Sequence, residues 1–295
     1  MNSISSLDRR LHAYRDDLAD ERLRDRVSAA NYVAGQSCII AAATAPIHRS
    51  PDRASTMETE ALMGEAFTIF ETSAGWCWGQ LTSDNYVGYM PAEALLPQDQ
   101  TVVCDSQITV QRTFVYPKAE LRDPPLLALS MGARLSINGT AETRGTAYKL
   151  VQLPDGRRGA VIAKHADRLD NPAADWVSQA ELFLHVPYLW GGRSSLGLDC
   201  SSLVQISRQS AGKTAPRDSD MQGRMGRQLE LTPEFAGLQR GDLIFWPGHV
   251  AIMLDASRII HCNGHHMATE IEPLVQAEAR IAAHYGKISH AMRPD

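Results

Sequence analysis

Leu7, Leu11, Tyr14 and Leu18 fall at spacings of four, three and four, the repeat that makes one apolar face of a helix. Six basic and six acidic residues fill the rest of residues 1–30. This pattern predicts a charged N-terminal helical extension over residues 1–34, solvated on most faces and packed on a neighbouring domain by its stripe. From about residue 36 the texture changes to short β-prone runs separated by turn residues. Ser37–Ala43, Ala66–Glu71, Trp76–Leu81 and Asn85–Met90 form one group. Thr101–Gln111, Arg134–Ile137, Ala147–Gln152 and Arg157–Ile162 form a second. Each group places a Gly-containing turn before a late strand, at Gly88 and at Gly159. Such spacing predicts two small all-β barrels, over residues 35–98 and 99–170.

After Asn171-Pro172 the pattern alternates. Trp176 to His185 and Ser201 to Ser210 read as helices. Leu243–Trp246, His249–Leu254 and Arg258–Cys262 read as strands. Residues 171–295 are therefore expected to form an α+β domain. A length of 295 residues suits two or three domains at roughly 100–200 residues each. Composition narrows the function classes. Apolar residues make up 44% and the net charge is −5, so no basic stripe marks a nucleic-acid partner. No run of 18 apolar residues predicts a membrane span. The N-terminus has no apolar segment after its basic residues, so no secretory signal is expected and the expected compartment is the cytoplasm. Five cysteines without repeated spacing suit reduced thiols better than a disulfide framework.

The candidate chemistry is in the last part. Pro187-Tyr188-Leu189-Trp190-Gly191-Gly192 leads through a loop to Asp199-Cys200-Ser201-Ser202. A cysteine where a loop enters a helix feels the positive end of the helix, which lowers its pKa. Asp199 is placed to cap that helix. A single cysteine there could equally be a small buried hydrophobe. Downstream, Gly241 to Ile252 reads as a strand, a tight turn and a second strand opening with His249. An imidazole there could take a proton from the thiol, and His261 on the next strand could orient it. For both histidines to share a face, position 251 must pair with 261 and 249 with 263, around an odd-numbered turn centred on Ala256. His261-Cys262-Asn263-Gly264-His265-His266 is rich in metal-ligand types. It has no CxxC or HExxH partner, so neither metal nor cofactor is expected. Cys262, next to a strand histidine, should point to the opposite face as a structural thiol. Trp76 and Trp78 should share one face of a strand, in a barrel core or as a stacking surface.

Taken in order, PYLWGG, DCSSLVQ, GDLIFW, GHVAI and IIHCNG resemble the NlpC/P60 family of papain-like cysteine peptidases over about 110 residues. The resemblance implies a papain-like catalytic domain with Cys200 as nucleophile, His249 as base and His261 as polar third residue. It places Tyr188 beside the nucleophile at the oxyanion site, and Asp199, Ser201 and Trp190 around the substrate pocket. Pro216-Arg217-Asp218-Ser219 matches a further family segment, read as structural. The family usually has glycine where this chain has Ser202, which fits a helix's first turn. Family members with two SH3-like domains before the catalytic domain resemble cytoplasmic γ-D-glutamyl-L-diamino acid endopeptidases. In that architecture the first SH3-like domain helps bind the free amine of an N-terminal L-Ala. Tyr89, with one of Glu58, Glu60 and Glu65 and Glu58 put forward, is the expected acceptor. The implied substrate is a short murein peptide, with cleavage after D-Glu. Two other functions fit the same scaffold: a thiol amidase or acyltransferase on another small amide, and a non-catalytic binder of cell-wall peptide. The intact Cys/His/His set argues against the binder.

Overall fold

The first group of β-prone runs forms a seven-stranded antiparallel sheet. In sheet order its strands are Met57–Leu62, Thr44–His48, Val87–Pro91, Trp76–Leu81, Ala66–Ser73, Gln36–Ile40 and Leu95–Pro97. Alternation sends Ile40, Ala45, Ile47, Phe67, Cys77, Leu81 and Met90 into one core. Register shifts at Ile47/His48 and Ile69/Glu71 add the local bend that lets a small sheet coil on itself. Gly79 pairs with Gly88. A β-carbon on Gly79 would sit 2.2 Å from the Thr68 carbonyl oxygen, so only glycine fits.

The second group builds a five-stranded sheet, in order Arg158–Ile162, Thr146–Gln152, Arg134–Thr143, Ser106–Ile108 and Ala166–Arg168. A separate hairpin pairs Arg112–Val115 with Leu127–Ser130. Ile108, Val115, Leu129, Leu135, Val151 and Val161 form its core. Of the expected strand over residues 101–111 only Ser106–Ile108 pairs regularly.

The computed structural model describes residues 7–295, and the chain divides between Leu169 and Asp170 into two units. The expected N-terminal helix is corrected within the described residues; its first six positions lie outside them. Leu18–Asp20 is instead a strand paired in parallel with Asn31–Val33, followed by a 3-10 turn at Glu21–Leu23. Two forces override the helical stripe. Asp8 and Asp20 accept bonds from backbone N–H groups two residues on, Arg10 and Arg22, the local competition that makes aspartate a poor helix residue. Ala13 and Leu18 are buried against Phe70 and Trp78, with the Arg15 guanidinium 4.3 Å above the Trp78 ring. Trp78 thus lies on the opposite face of its strand from Cys77, which enters the barrel core. Of the four stripe residues only Leu18 joins this cluster, with Ala13 from outside the stripe.

The second unit carries a six-stranded antiparallel sheet, in order Arg227–Leu229, His290–Arg293, Leu243–Trp246, His249–Met253, Arg258–Asn263 and Ala268–Pro273. Four helices accompany it: α1 (Trp176–Glu181), α2 (Cys200–Ser210), α3 (Ser219–Gln222) and α4 (Leu274–Tyr285). The first ends four residues before the expected His185. Leu274, Ala277 and Ile281 of α4 pack on Ile244, Trp246, Ala251, Met253 and Ile259. The Trp246 indole N–H donates to Glu278 at 2.7 Å, pinning α4 to that face of the sheet.

Candidate active site

Cys200 opens α2. The short ribbon Arg193–Ser194/Gly197–Leu198 delivers the chain to Asp199, the N-cap. Asp199 Oδ1 accepts from the Ser202 backbone N–H at 2.8 Å, and the Ser202 hydroxyl accepts from the Asp199 N–H at 2.9 Å. Ser202 therefore completes a reciprocal capping box, which is why serine serves at the position where the family usually has glycine. The buried Arg217 guanidinium clamps Asp199 through bonds of 2.9 and 2.6 Å. Gly191 N–H adds 3.0 Å and the Ser201 hydroxyl 3.2 Å. Five donors reach the Asp199 carboxylate, which has about four lone-pair positions, so it is held firmly within the chain. Its place in the site is to fix the turn that presents Cys200. Arg217, read from the sequence as structural, is the charge that makes this buried cap affordable.

The hairpin between Trp246 and His249 has a two-residue loop, Pro247-Gly248, with φ +73° at Gly248. Proline followed by a glycine in the left-handed region is the pattern of a type II turn. It sets His249 at the start of its strand. Ile252 pairs with Ile260 and Met253 with Ile259. Continued, that register puts 251 opposite 261 and 249 opposite 263, the expected alignment, and Leu254 N–H bonds to the Arg258 carbonyl around Ala256. The imidazoles meet with centroids 5.1 Å apart, and His249 Nε2 lies 2.8 Å from His261 Nδ1. The relay goes one step further than the sequence suggested. His261 Nε2 lies 2.7 Å from Glu272 Oε1, and Arg280 of α4 bonds the same carboxylate. Strand alternation could have found Glu272, because it sits two residues past Glu270, the partner of His261. Cys262 points away from the relay and donates its thiol to the Leu198 carbonyl at 3.1 Å.

Electrostatics set the resting protonation. Burial pushes the Cys200 thiol up to about 12, with the Asp199 charge adding to it. Val250 and Ser201 backbone N–H groups and the Arg217 charge oppose this without overturning it. The helix-terminus effect expected from sequence is therefore outweighed by desolvation. Burial, then His261 and Arg280, push His249 down to about 3. Burial also lowers His261, against the pull of Glu272. Burial alone would raise Glu272, but the His261 bond and nearby Arg280 hold it below the usual range. Both shifts favour the uncharged forms, the thiol and the neutral imidazole.

His249 opens onto a cleft of about 550 Å³. Tyr188 and Trp190 line it from the loop before α2, Asn263 and His265 from the turn after His261, and Arg280, His284 and Tyr285 from α4. Trp190 and Tyr285 are exposed, at 62% and 73%, and form aromatic walls for a ligand. The α4 residues were not visible as site residues in the sequence. Burial, then Cys200 and Asp199, raises the Tyr188 phenol, so it stays protonated and can donate a hydrogen bond. Ser201 is buried and donates to Asp199. Tyr89 and Glu58 lie in the first unit, where they share a hollow of about 390 Å³ with Tyr86, Trp78 and four arginines. Tyr89 accepts from Arg15 at 3.0 Å and Glu58 is paired with Arg49, so both are already engaged by guanidinium groups.

Residues 185–282 match the NlpC/P60 family, and residues 47–95 match the bacterial dipeptidyl-peptidase Sh3 domain. A γ-D-glutamyl-L-lysine dipeptidyl-peptidase of Bacillus cereus is 29% identical over 247 residues, covering 75% of this chain and 72% of that protein. Dipeptidyl-peptidase 6 of Lysinibacillus sphaericus is 26% identical, covering 77% and 88%. The fold is shared with the crystal structure of an NlpC/P60 family protein from Bacillus cereus, at a TM-score of 0.72 and 22% identity over 87% of this chain and 99% of that one.

Proposed function

We infer that this chain, in which an NlpC/P60 domain follows a bacterial dipeptidyl-peptidase SH3 domain, is a cysteine peptidase that cuts short murein peptides after D-Glu. The observation that carries the chemistry is the 2.8 Å contact between His249 and His261, on a strand that packs against the helix opened by Cys200. For His249 to act as base, its Nε2 carries the proton and donates to His261 Nδ1. His261 Nε2–H then donates to Glu272. This tautomer leaves the His249 Nδ1 lone pair for the thiol, the orienting role of a triad's third member.

As the Cys200 sulfur attacks the γ-carbonyl of D-Glu, the thiol proton passes to His249. The carbonyl oxygen becomes an oxyanion, held by backbone N–H groups near Cys200 and by the Tyr188 hydroxyl. The C–N bond breaks as His249 returns its proton to the departing diamino acid. Water, deprotonated by His249, then hydrolyses the thioester. Starting from a neutral pair, proton transfer accompanies bond formation instead of preceding it.

The substrate is read as L-Ala-γ-D-Glu-diamino acid with a free amino terminus, as released during cell-wall recycling. Two relatives named as dipeptidyl-peptidases support this, since such enzymes release a dipeptide from a free N-terminus. We place the activity in the cytoplasm; among the described residues no helix is long and apolar enough to cross a membrane. The test is incubation with L-Ala-γ-D-Glu-L-Lys, its diaminopimelate counterpart and their N-acetyl forms, read by mass spectrometry. L-Ala-D-Glu and the free diamino acid should appear from the first two. Equal rates on the acetylated forms, or efficient cutting of intact sacculi, would overturn the selectivity.

A further inference from the structure

The turn after His261 carries two histidines that the proposed mechanism does not use. His266 is exposed, and its ligand atom lies with those of His261 and Glu272 in a group whose members are all within 4.8 Å of one another. We propose that His261, His266 and Glu272 form an inhibitory zinc site that switches off the catalytic base, an inference that rests on the cysteine-peptidase reading above.

The donor set fits a borderline-soft divalent ion: two imidazoles and a carboxylate, with a fourth position for water. With Zn–N and Zn–O bonds of about 2.0–2.2 Å, tetrahedral ligands lie roughly 3.3 Å apart. His261 Nε2 and Glu272 Oε1 are already at 2.7 Å, and the exposed His266 ring supplies the remaining movement. Its orientation is prepared. Asn263 Oδ1 accepts from the His265 and His266 backbone N–H groups and lies 3.1 Å from His266 Nδ1. That bond puts the His266 proton on Nδ1 and leaves Nε2 as the donor atom, the usual outer-shell device at a metal-binding histidine. Arg280, the ion-pair partner of Glu272, must give way, and its side chain is at the edge of the open cleft.

The consequence for catalysis follows from counting protons. In the active relay, His249 and His261 each carry one proton, on Nε2. Zinc takes the Nε2 lone pair of His261, so that proton leaves. The shared proton moves from His249 Nε2 to His261 Nδ1, and His249 takes up a proton at Nδ1. Each ring remains neutral and the total is unchanged. His249 now presents N–H instead of a lone pair to Cys200, and the base is lost without any metal contact to the sulfur. Magnesium and calcium, which prefer oxygen ligands, should not do this.

Zinc binding is measured by competition with a chromophoric chelator, and peptide hydrolysis in parallel. Cys200→Ala protein should bind one zinc as tightly as wild type. His266→Gln should hydrolyse peptide at the wild-type rate but need at least about 10-fold more zinc for half-inhibition, the lower end of what losing even an outer-shell partner costs. Loss of zinc binding in Cys200→Ala would place the ion on the thiol and overturn the proposal, as would unchanged zinc sensitivity in His266→Gln. If no murein peptide is cut, the functional reading fails, while the Cys200→Ala and His266→Gln binding measurements still decide the metal site.

Discussion

At the scale of single residues, the site is governed by desolvation. Cys200 is only 9% exposed, and its thiol is pushed up to about 12. Free-enzyme alkylation by iodoacetamide should therefore be slow near neutral pH and climb through pH 9 and beyond. A plateau reached below pH 7 would show a resting thiolate and contradict the neutral pair. Glu272 acts through His261 and is a positioning residue. Glu272→Gln keeps the shape but weakens the bond that holds the imidazole tautomer. It should lower kcat about 10–100-fold with little change in KM, a loss within the range that general acid–base catalysis supplies. A change in KM alone would assign Glu272 to substrate binding.

At the scale of elements, the entrance to α2 depends on a buried ion pair, Asp199 with Arg217. Removing Arg217 leaves a buried carboxylate without its countercharge, which costs roughly 3–5 kcal/mol. Arg217→Met should show that loss in urea denaturation, and Asp199→Asn in the same chain should recover part of it. Additive losses would mean that the two residues do not act as a pair. The His249 hairpin depends on Gly248, where an added β-carbon meets nothing within 4 Å. Gly248→Ala should therefore lose only the backbone term, about 1–2 kcal/mol, measurable in the same way. These elements also show what the sequence could and could not reveal. The Cys200 helix start and the His249 and His261 strands were legible from period-2 alternation and the Pro-Gly turn, whereas their register came from the condition that both imidazoles share a face. Glu272 was open to strand alternation but not read, and Arg280 was not legible, because its role depends on α4 meeting the strand after His261 at one point. The N-terminal stripe misled, because apolar spacing alone does not distinguish a helix from an extended segment lying over Phe70 and Trp78.

At the scale of the whole molecule, the buried imidazoles link stability to pH. His249 has its folded pKa depressed from 6.5 to about 3, and His261 is depressed as well. Between those values the unfolded chain binds protons that the folded chain does not. Stability is therefore full above pH 6.5 and falls as pH drops towards 3. Urea midpoints across that window should fall less steeply for His249→Gln than for wild type; parallel curves would show that His249 is not buried in its neutral form. Selectivity belongs to the same scale, since a free amino terminus on the substrate is the property that would confine the enzyme to released peptides. The central claim is that hydrolysis runs through a thioester on Cys200. Rapid-quench intact-mass measurement during turnover of L-Ala-γ-D-Glu-L-Lys tests it most directly. One L-Ala-D-Glu unit should be found attached to Cys200 in the wild type and absent in Cys200→Ala, which should be folded and inactive. An adduct elsewhere, or substantial turnover by a Cys200→Ala protein with unchanged circular dichroism, would contradict the account.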